Sequence, residues 1–474
     1  MKKLNGYITV YLSLIVGLLL ALTMTLIEGV RRQTLRFETE CVMDAGLNSI
    51  FAEYHREMVK QYGLLFIDDS YGQRGNVNNT KSHILEYMNM NFRANDLKKD
   101  LTALHADNCL LGDISFASDD KGTVLRYQIV RYMKSKNGTE LITHEGFDPN
   151  EMGGMIDKYD EYEEKRESLA GDIDGMVDDY NAGLPEGEEA VGISNPADAV
   201  EGLSSSNALY YACGDMNGLS VSFSDINSLI SKRNYPEGCG LYEGQESPYG
   251  PINEVLYMTY LFDKLGYKGK QKDGACLNYQ IEYIIKGNDS DIKNLEEIAE
   301  SIFRIRYVTN ISHLYSSPSK NGEAMEAALA ATAIIGQPEL ADAVKHSILL
   351  AWAYAESAKD MRILFDGHKL SMVKTDSDWN TPLSQIVDFK SHLNEYHIPA
   401  GTMDYKDYLY GFLVLEDNEK CNMRLMDIME MDIRMTPGNS NFMMNDQIYQ
   451  LRATVNVSSG FGYGYEITRG FSYR

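Results

Sequence analysis

Between Tyr7 and Ile27 the chain carries no charged residue, and no other feature limits its fold as tightly. At ~1.5 Å per helical residue the run covers about 30 Å, the thickness of a bilayer's hydrocarbon core. A spanning segment must satisfy its backbone hydrogen bonds internally, so an α-helix is predicted. Two other readings compete. The core helix of a soluble domain rarely stays uncharged for so long. A removed secretory signal would be followed by a small-residue cleavage site, whereas here Glu28, Arg31 and Arg32 follow the apolar run directly. A retained anchor is therefore the expectation, with Glu28, Arg31 and Arg32 at the membrane boundary. Glu28 there is either a pairing charge for a neighbouring helix or a boundary residue partnered by Arg31 or Arg32 one turn on. No second apolar run could span a membrane, so the rest of the chain is expected on one side.

One side of this helix is built of small residues. Ser13, Gly17, Ala21, Thr25 and Gly29 recur every four positions. Such a stripe lets helix backbones approach closely in lipid, where packing drives association, although small residues are also common in spanning helices by chance. Beyond the membrane the helical pattern continues. There is no Pro from Glu28 to Gln61, and Leu47, Ile50, Phe51, Tyr54 and Met58 fall at helical spacing. One helix of about 55 residues and roughly 80 Å is predicted, ending at Tyr62-Gly63, with Gly29 and Gly46 as places where it could bend.

The composition is that of a globular chain, with 44% hydrophobic and 24% charged residues over 474 positions. The net charge of -25, from 69 acidic and 44 basic residues, repels phosphate backbones and argues against nucleic-acid binding. The acidity serves solubility or seeks basic partners. Six cysteines are scattered without a CxxC pair, which disfavours a zinc or thioredoxin-like site and leaves disulfides permitted but undetermined.

The words at the start carry a resemblance. Gly6-Tyr7-Ile8-Thr9-Val10-Tyr11 and Ile27-Glu28-Gly29-Val30-Arg31 resemble the opening and closing words of the helix in TadE/TadG-like, pseudopilin-like proteins of tight-adherence pili. The resemblance implies cleavage after Gly6, giving a mature start at Tyr7. Tyr11 stands where that family carries a glutamate that pairs with a neighbouring subunit's amino terminus. Tyr62-Gly63-Leu64-Leu65-Phe66-Ile67-Asp68, Ile281-Glu282-Tyr283-Ile284-Ile285-Lys286-Gly287, Ala351-Trp352-Ala353-Tyr354-Ala355-Glu356-Ser357 and Asp404-Tyr405-Lys406-Asp407-Tyr408-Leu409 resemble an uncharacterised family of clostridial membrane-anchored proteins with no assigned activity. Together with Lys2 and Lys3, and against Arg31, Arg32 and Arg36, this favours a cytoplasmic N-terminus and an extracellular bulk.

The expected fold class is α+β: a long N-terminal membrane-spanning helix continuing into a mixed helical and antiparallel β extracytoplasmic region. The segments are a leader at 1–6, the transmembrane helix at 7–27 and an amphipathic extension at 28–62. A first α+β region at 63–150, an acidic linker-like region at 151–205 and a second, mostly helical α+β region at 206–474 follow. Within them Asn95–Leu111 has helical flavour and Gly122–Met133 reads as a strand. Tyr159–Ala170 is predicted as a solvated helix, Gly183–Glu189 as a flexible linker and Pro236–Gly250 as a loop. The alternation of Leu277, Tyr279, Ile281, Tyr283 and Ile285 predicts a strand broken by Gly287. Ser290 or Asp291 then caps a helix to Asn310. Further helices are predicted over Gly322–Ile335, from Pro338 to Gly367, over Asp404–Leu415 and over Asn422–Met435. Tyr449–Val457 and Tyr463–Tyr473 form a closing hairpin.

No motif announces chemistry, and no catalytic, cofactor-binding or metal residue is predicted. The nine histidines include no HExxH. His392 and His397 with Glu395 between them read as a surface loop. Asp172-Ile173-Asp174-Gly175 lacks the later ligands of a calcium loop, and Gly460 to Gly464 is followed by no helix that could hold a dinucleotide. Three functions follow in order: a non-enzymatic surface component of a tight-adherence pilus or related secretion apparatus, with membrane lipid and lateral helix partners; a single-span ligand-binding or adhesion module; and a cell-envelope hydrolase.

Overall fold

The computed structural model describes residues 6–93, 103–136, 148–185, 205–334 and 338–473. The architecture is α+β, with a long apolar N-terminal helix, many further helices and a small antiparallel sheet. Two compact units share the chain. The first takes Met1–Tyr132, Arg233–Pro248 and Ile433–Arg474; the second takes Met133–Lys232 and Tyr249–Asp432. These units interleave along the sequence, unlike the consecutive segments expected above, because strands from both ends of the chain pair in one sheet.

In the first unit, α1 (Tyr7–Phe51) is one unbroken helix of 45 residues, about 68 Å long. Residues 6–27 are exposed throughout, and the helix is long and apolar enough to cross a membrane. Its second half differs. Leu35, Thr39, Val42, Met43, Gly46, Leu47 and Ile50 are buried, a stripe at the 3.6-residue period that faces a core. It packs on α3 (Val77–Arg93) and on β4 (Gly464–Ser472). A Cβ on Gly46 would lie 3.1 Å from Met88 Cγ, so this glycine serves close helix approach rather than a bend.

The helix does not run on to Tyr62. It stops at Phe51 because Tyr54 forms a β-bridge with Ile67, and the His55 N–H donates to the Phe66 carbonyl at 2.9 Å. Those backbone groups are then lost to the helix. His55 restarts it by accepting from the Met58 N–H through Nδ1 at 3.2 Å, capping α2 (Arg56–Tyr62). Gly63, at φ 74°, closes α2 at the place read from the sequence.

The sheet centres on β3 (Gln447–Ser459). Along one edge lies β2 (Leu104–Phe116), antiparallel from Leu104↔Ser459 to Phe116↔Ile448. Its other edge is shared by β1 (Ile67–Asp68) and β4, the latter registered from Gln450↔Ser472 to Ser458↔Gly464. The closing hairpin is thus as expected. Two other readings are corrected. Residues 104–111, given helical flavour above, are strand, because their partner β3 is more than three hundred residues away in sequence; residues 95–102 of that reading lie outside the described residues. Gly122–Met133, read as a strand, is helical after the kink at Asp120–Gly122, whose φ angles are 49°, 51° and 82°, within α4 (Asp119–Ser135). Its β-branched content suggested extension, but Val124, Leu125, Gln128 and Ile129 recur at helical spacing and are all buried, so tertiary packing decides.

The second unit is helical. Pro149 opens α5 (Pro149–Ala182), and Asp148 caps it by accepting from the Asn150 N–H at 2.9 Å. The acidic stretch expected as a linker is therefore helix as far as Ala182, while residues 186–204 lie outside the described residues. Its charge is solvated on one side. Met152, Tyr159, Arg166 and Ile173, each seven residues from the last, are buried on the other, and Tyr159 meets Tyr307 of α9 (Asp291–Ser316) edge-on at 5.4 Å. α9 packs against α5, α6 (Ala208–Cys213), α8 (Gln280–Lys286), α10 (Pro318–Ile334) and α11 (Ala341–Phe365), and α12 (Tyr405–Leu415) packs on α5 and α8; α7 (Pro251–Lys264) and α13 (Asn418–Arg434) are further helices. Tyr211, Phe303, Tyr354 and Phe389 interlock at 4.9 to 6.4 Å between ring centres. Of the strand predicted over Leu277–Ile285, residues 280–285 lie in α8, and residues 277–279 precede it without regular structure. Its polar members are as buried as its apolar ones: the Gln280 amide donates to Asp432 at 2.8 Å, and Glu282 accepts from the Lys268 N–H at 2.8 Å. The alternation therefore reports no solvent face. Ser290 caps α9 as read.

Candidate functional site

The residues singled out in the sequence fall on the first half of α1 and its boundary. Gly6 is the N-cap of α1, and Tyr7 its first residue; both are exposed. Ser13, Gly17, Ala21, Thr25 and Gly29 stay exposed along the same helix, and a Cβ at Gly17 or Gly29 would meet nothing within 4 Å. The two hydroxyls of the stripe are used inside the helix: Ser13 donates to the Val10 carbonyl at 2.8 Å and Thr25 to that of Leu22 at 2.8 Å. Bonded this way they expose little polarity and behave as small side chains.

At the boundary Glu28 accepts from Arg31 at 3.4 Å and from Arg32 at 3.2 Å. The same guanidinium groups lie over two rings of the β3–β4 turn. Arg31 Cζ is 4.5 Å from the centre of Phe461, and Arg32 Cζ is 4.8 Å from that of Tyr463, both within cation–π range. Tyr465 donates its hydroxyl to the Arg32 carbonyl at 3.3 Å, and Arg469 reaches Glu40 at 3.4 Å and Asp44 at 3.3 Å. Further along, Tyr473 donates to the Phe51 carbonyl at 2.9 Å and Phe471 packs on Phe51 at 4.5 Å. β4 is thus laid along the second half of α1 from Arg32 to Phe51. Beside its far end is an open groove of about 780 Å³ that includes Phe51, Arg452, Phe471 and Tyr473.

A second constellation was not found in the sequence. Asp360 on α11 accepts from Arg306 Nε at 2.9 Å, from Asn310 at 2.9 Å and from Lys374 at 2.5 Å. Lys374 also bonds Glu356, which in turn accepts from the backbone N–H groups of Asn380 at 2.9 Å and Thr381 at 2.8 Å. Arg306, Glu356, Lys359 and Asp360 have no exposed surface. Burial pushes the Asp360 carboxyl up, but Arg306 and Lys374 outweigh it and hold it below the usual carboxylate range. Sealed from solvent, this network ties α9, α11 and residues 371–381 together. The available signal was Glu356 and Asp360, one turn apart directly after nine residues, Ser347–Ala355, that carry no charge and are nearly all apolar: acids following so apolar a run on a helix require buried partners.

Other titratable groups are also structural in setting. Burial raises Glu282 to about 7, although the Lys268 N–H and the Tyr405 hydroxyl favour its charged form. It likewise raises Asp427, bonded to Tyr283 and the Ser231 N–H, to about 6. Ser317 and His313 both bond Asp376, each at 2.9 Å. The serine hydroxyl donates to the carboxylate rather than to the imidazole, so the three do not line up as nucleophile, base and orienter. His392 bonds Glu395 at 2.9 Å and Asp388 at 3.2 Å on the surface. Asp172 to Gly175 lie within α5, and Gly460 to Tyr463 form the β3–β4 turn. All six cysteines are free thiols. Among the described residues no three His, Cys, Asp or Glu side chains come together as a metal site.

A family model described as a family of unknown function (DUF5702) matches residues 186–459, more than half of the chain. The chain belongs to this family. The DUF5702 segment contains the buried ionic network and β3, and three of the four sequence words that resembled an uncharacterised family lie within it. Helix α1, α5 and β4 lie outside the DUF5702 match. No curated protein and no solved structure matches the chain.

Proposed function

We propose that this DUF5702 protein is a non-enzymatic, membrane-anchored surface component, pseudopilin-like in construction, of a tight-adherence pilus or a related secretion apparatus. In this reading residues 7–27 cross the membrane once with the N-terminus in the cytoplasm, and both units lie outside. The small-residue stripe from Ser13 to Gly29 packs against neighbouring helices. One observation carries the reading: α1 is a single helix whose first half is wholly exposed and apolar while its second half is built into the core of the first unit. A helix shared in this way holds the outer unit at a fixed height above the bilayer, as a display or assembly component requires. TadE/TadG-like words at Gly6–Tyr11 and Ile27–Arg31 add the pilus context.

The test is the N-terminus of the mature protein, read by mass spectrometry in membranes with and without a prepilin peptidase. A peptidase-dependent start at Tyr7 supports the pilin pathway. An intact Met1 removes it and leaves a permanent single-span anchor. The groove beside Arg452 and Phe471 favours a second reading, a single-span ligand-binding or adhesion module, in which binding is lost on Arg452→Ala.

A further inference from the structure

The span has an aromatic belt at one end only. Tyr7 and Tyr11 stand at its start, where the amphipathic rings of tyrosine settle at the level of lipid headgroups. At its other end α1 offers no Trp or Tyr of its own: residues 28–36 read EGVRRQTLR. The rings missing there are supplied from another part of the chain. Phe461 and Tyr463, at the tip of the β3–β4 hairpin, are held against Arg31 and Arg32.

We infer that this hairpin tip sits in the headgroup layer of the bilayer that α1 crosses, with Phe461 and Tyr463 as the second aromatic belt. The inference rests on the proposed anchoring of residues 7–27. Height is the first argument. Arg31 and Arg32 lie four and five residues past Ile27, about 6–8 Å up the helix axis, and the headgroup layer occupies roughly 5–8 Å beyond each side of the hydrocarbon core. Rings stacked on those guanidinium groups share that height. Exposure is the second argument. Phe461 is 41% exposed at the end of a turn with glycines on both sides, an open position for a large apolar ring in water. Charge is the third. Glu28 engages both arginines, yet their side chains remain 43% and 63% exposed, leaving donors for lipid phosphate. Finally, β4 is fixed to α1 by Tyr465, Arg469 and Tyr473, so the tip is held at that height rather than free to swing.

The test uses the full chain carrying Phe461→Trp, reconstituted in phosphatidylcholine vesicles. The two native tryptophans, Trp352 and Trp379, are buried in the second unit and supply a constant background measured on the unsubstituted chain. Bromine placed near the carbonyl end of the acyl chains is expected to remove most of the emission added by the substitution. Bromine near the terminal methyls is expected to remove little. Tyr463→Trp repeats the measurement should Phe461→Trp fold poorly. Vesicle-bound protein whose added emission is unquenched overturns the inference, whether the tip faces water or is covered by another protein, and so does equal quenching from both depths. A chain that does not stay with the vesicles overturns the anchoring instead.

Discussion

Glu282 has no exposed surface and keeps its proton to about pH 7, against an ordinary value of 4.5, because burial disfavours its charge. The sign of the consequence follows from linkage. Below the unfolded value both states hold the proton and the contribution is full. As pH rises toward 7 the unfolded chain gives up its proton first, and stability falls until the folded value is passed. The loss is roughly 3 kcal/mol at about 1.4 kcal/mol per pKa unit. Glu282→Gln, which keeps the oxygen that accepts from Lys268 and Tyr405, should flatten the decline in urea stability between pH 5 and pH 8 by up to that amount. An unchanged pH slope sinks the argument. Asp360 acts in the opposite sense, since its charge is what Arg306 and Lys374 require. Asp360→Ala leaves the buried Arg306 guanidinium without its carboxylate and Lys374 with Glu356 alone, and should cost roughly 3–5 kcal/mol in denaturant unfolding, with Asp360→Asn costing less; a loss below about 1 kcal/mol contradicts the clamp. Glu282 was not legible as special from the sequence, and Asp360 was marked only by its place one turn after Glu356 beyond an uncharged run. Glu282 sits in an alternation that looks half-exposed, and the partners of Asp360 are 54 residues upstream and 14 downstream.

Elements were legible where local chemistry decides them and misread where distant pairing does. The end of α2 at Gly63, the capping of α9 by Ser290 and the start of α12 at Asp404 all follow from nearby groups, and the structure has each of them. β2, α4 and α8 do not, because β3 dictates the first, tertiary packing of a helical stripe the second and all-round burial the third. The interruption of α1 at Ala52–His55 belongs with these, since it depends on Phe66 and Ile67 pairing back on that segment. Gly63 offers the sharpest test at this scale. Its φ of 74° disfavours any side chain, and a Cβ would lie 2.7 Å from the Tyr132 ring. The left-handed conformation alone costs about 1–2 kcal/mol, and displacing the ring adds to it. Gly63→Ala is expected to lower stability by roughly 2–3 kcal/mol in thermal or urea unfolding. A neutral substitution shows that α2 ends differently.

For the whole molecule, the proposed anchor was the most legible feature, because a long uncharged run has few folded destinations. The interleaving of two units was not, since nothing local in residues 104–116 or 447–472 says that they share a sheet. The division of α1 into an exposed half and a packed half joins these two scales and makes a prediction about solubility. Removing residues 1–32 takes away the exposed apolar turns and leaves Leu35 to Phe51, which carry the contacts with α3 and β4. The shortened chain is expected to be soluble without detergent and, in circular dichroism, to lose only the helix signal of the deleted turns. Its net negative charge supports solubility. The full chain should stay in the membrane pellet after alkaline carbonate washing, which strips proteins held by charge alone. Protease added to right-side-out membrane vesicles should then digest both units and leave a fragment no longer than the span and its immediate flanks. Protection of the units places them on the cytoplasmic side and reverses the proposed orientation, while release of the full chain by carbonate removes the anchor.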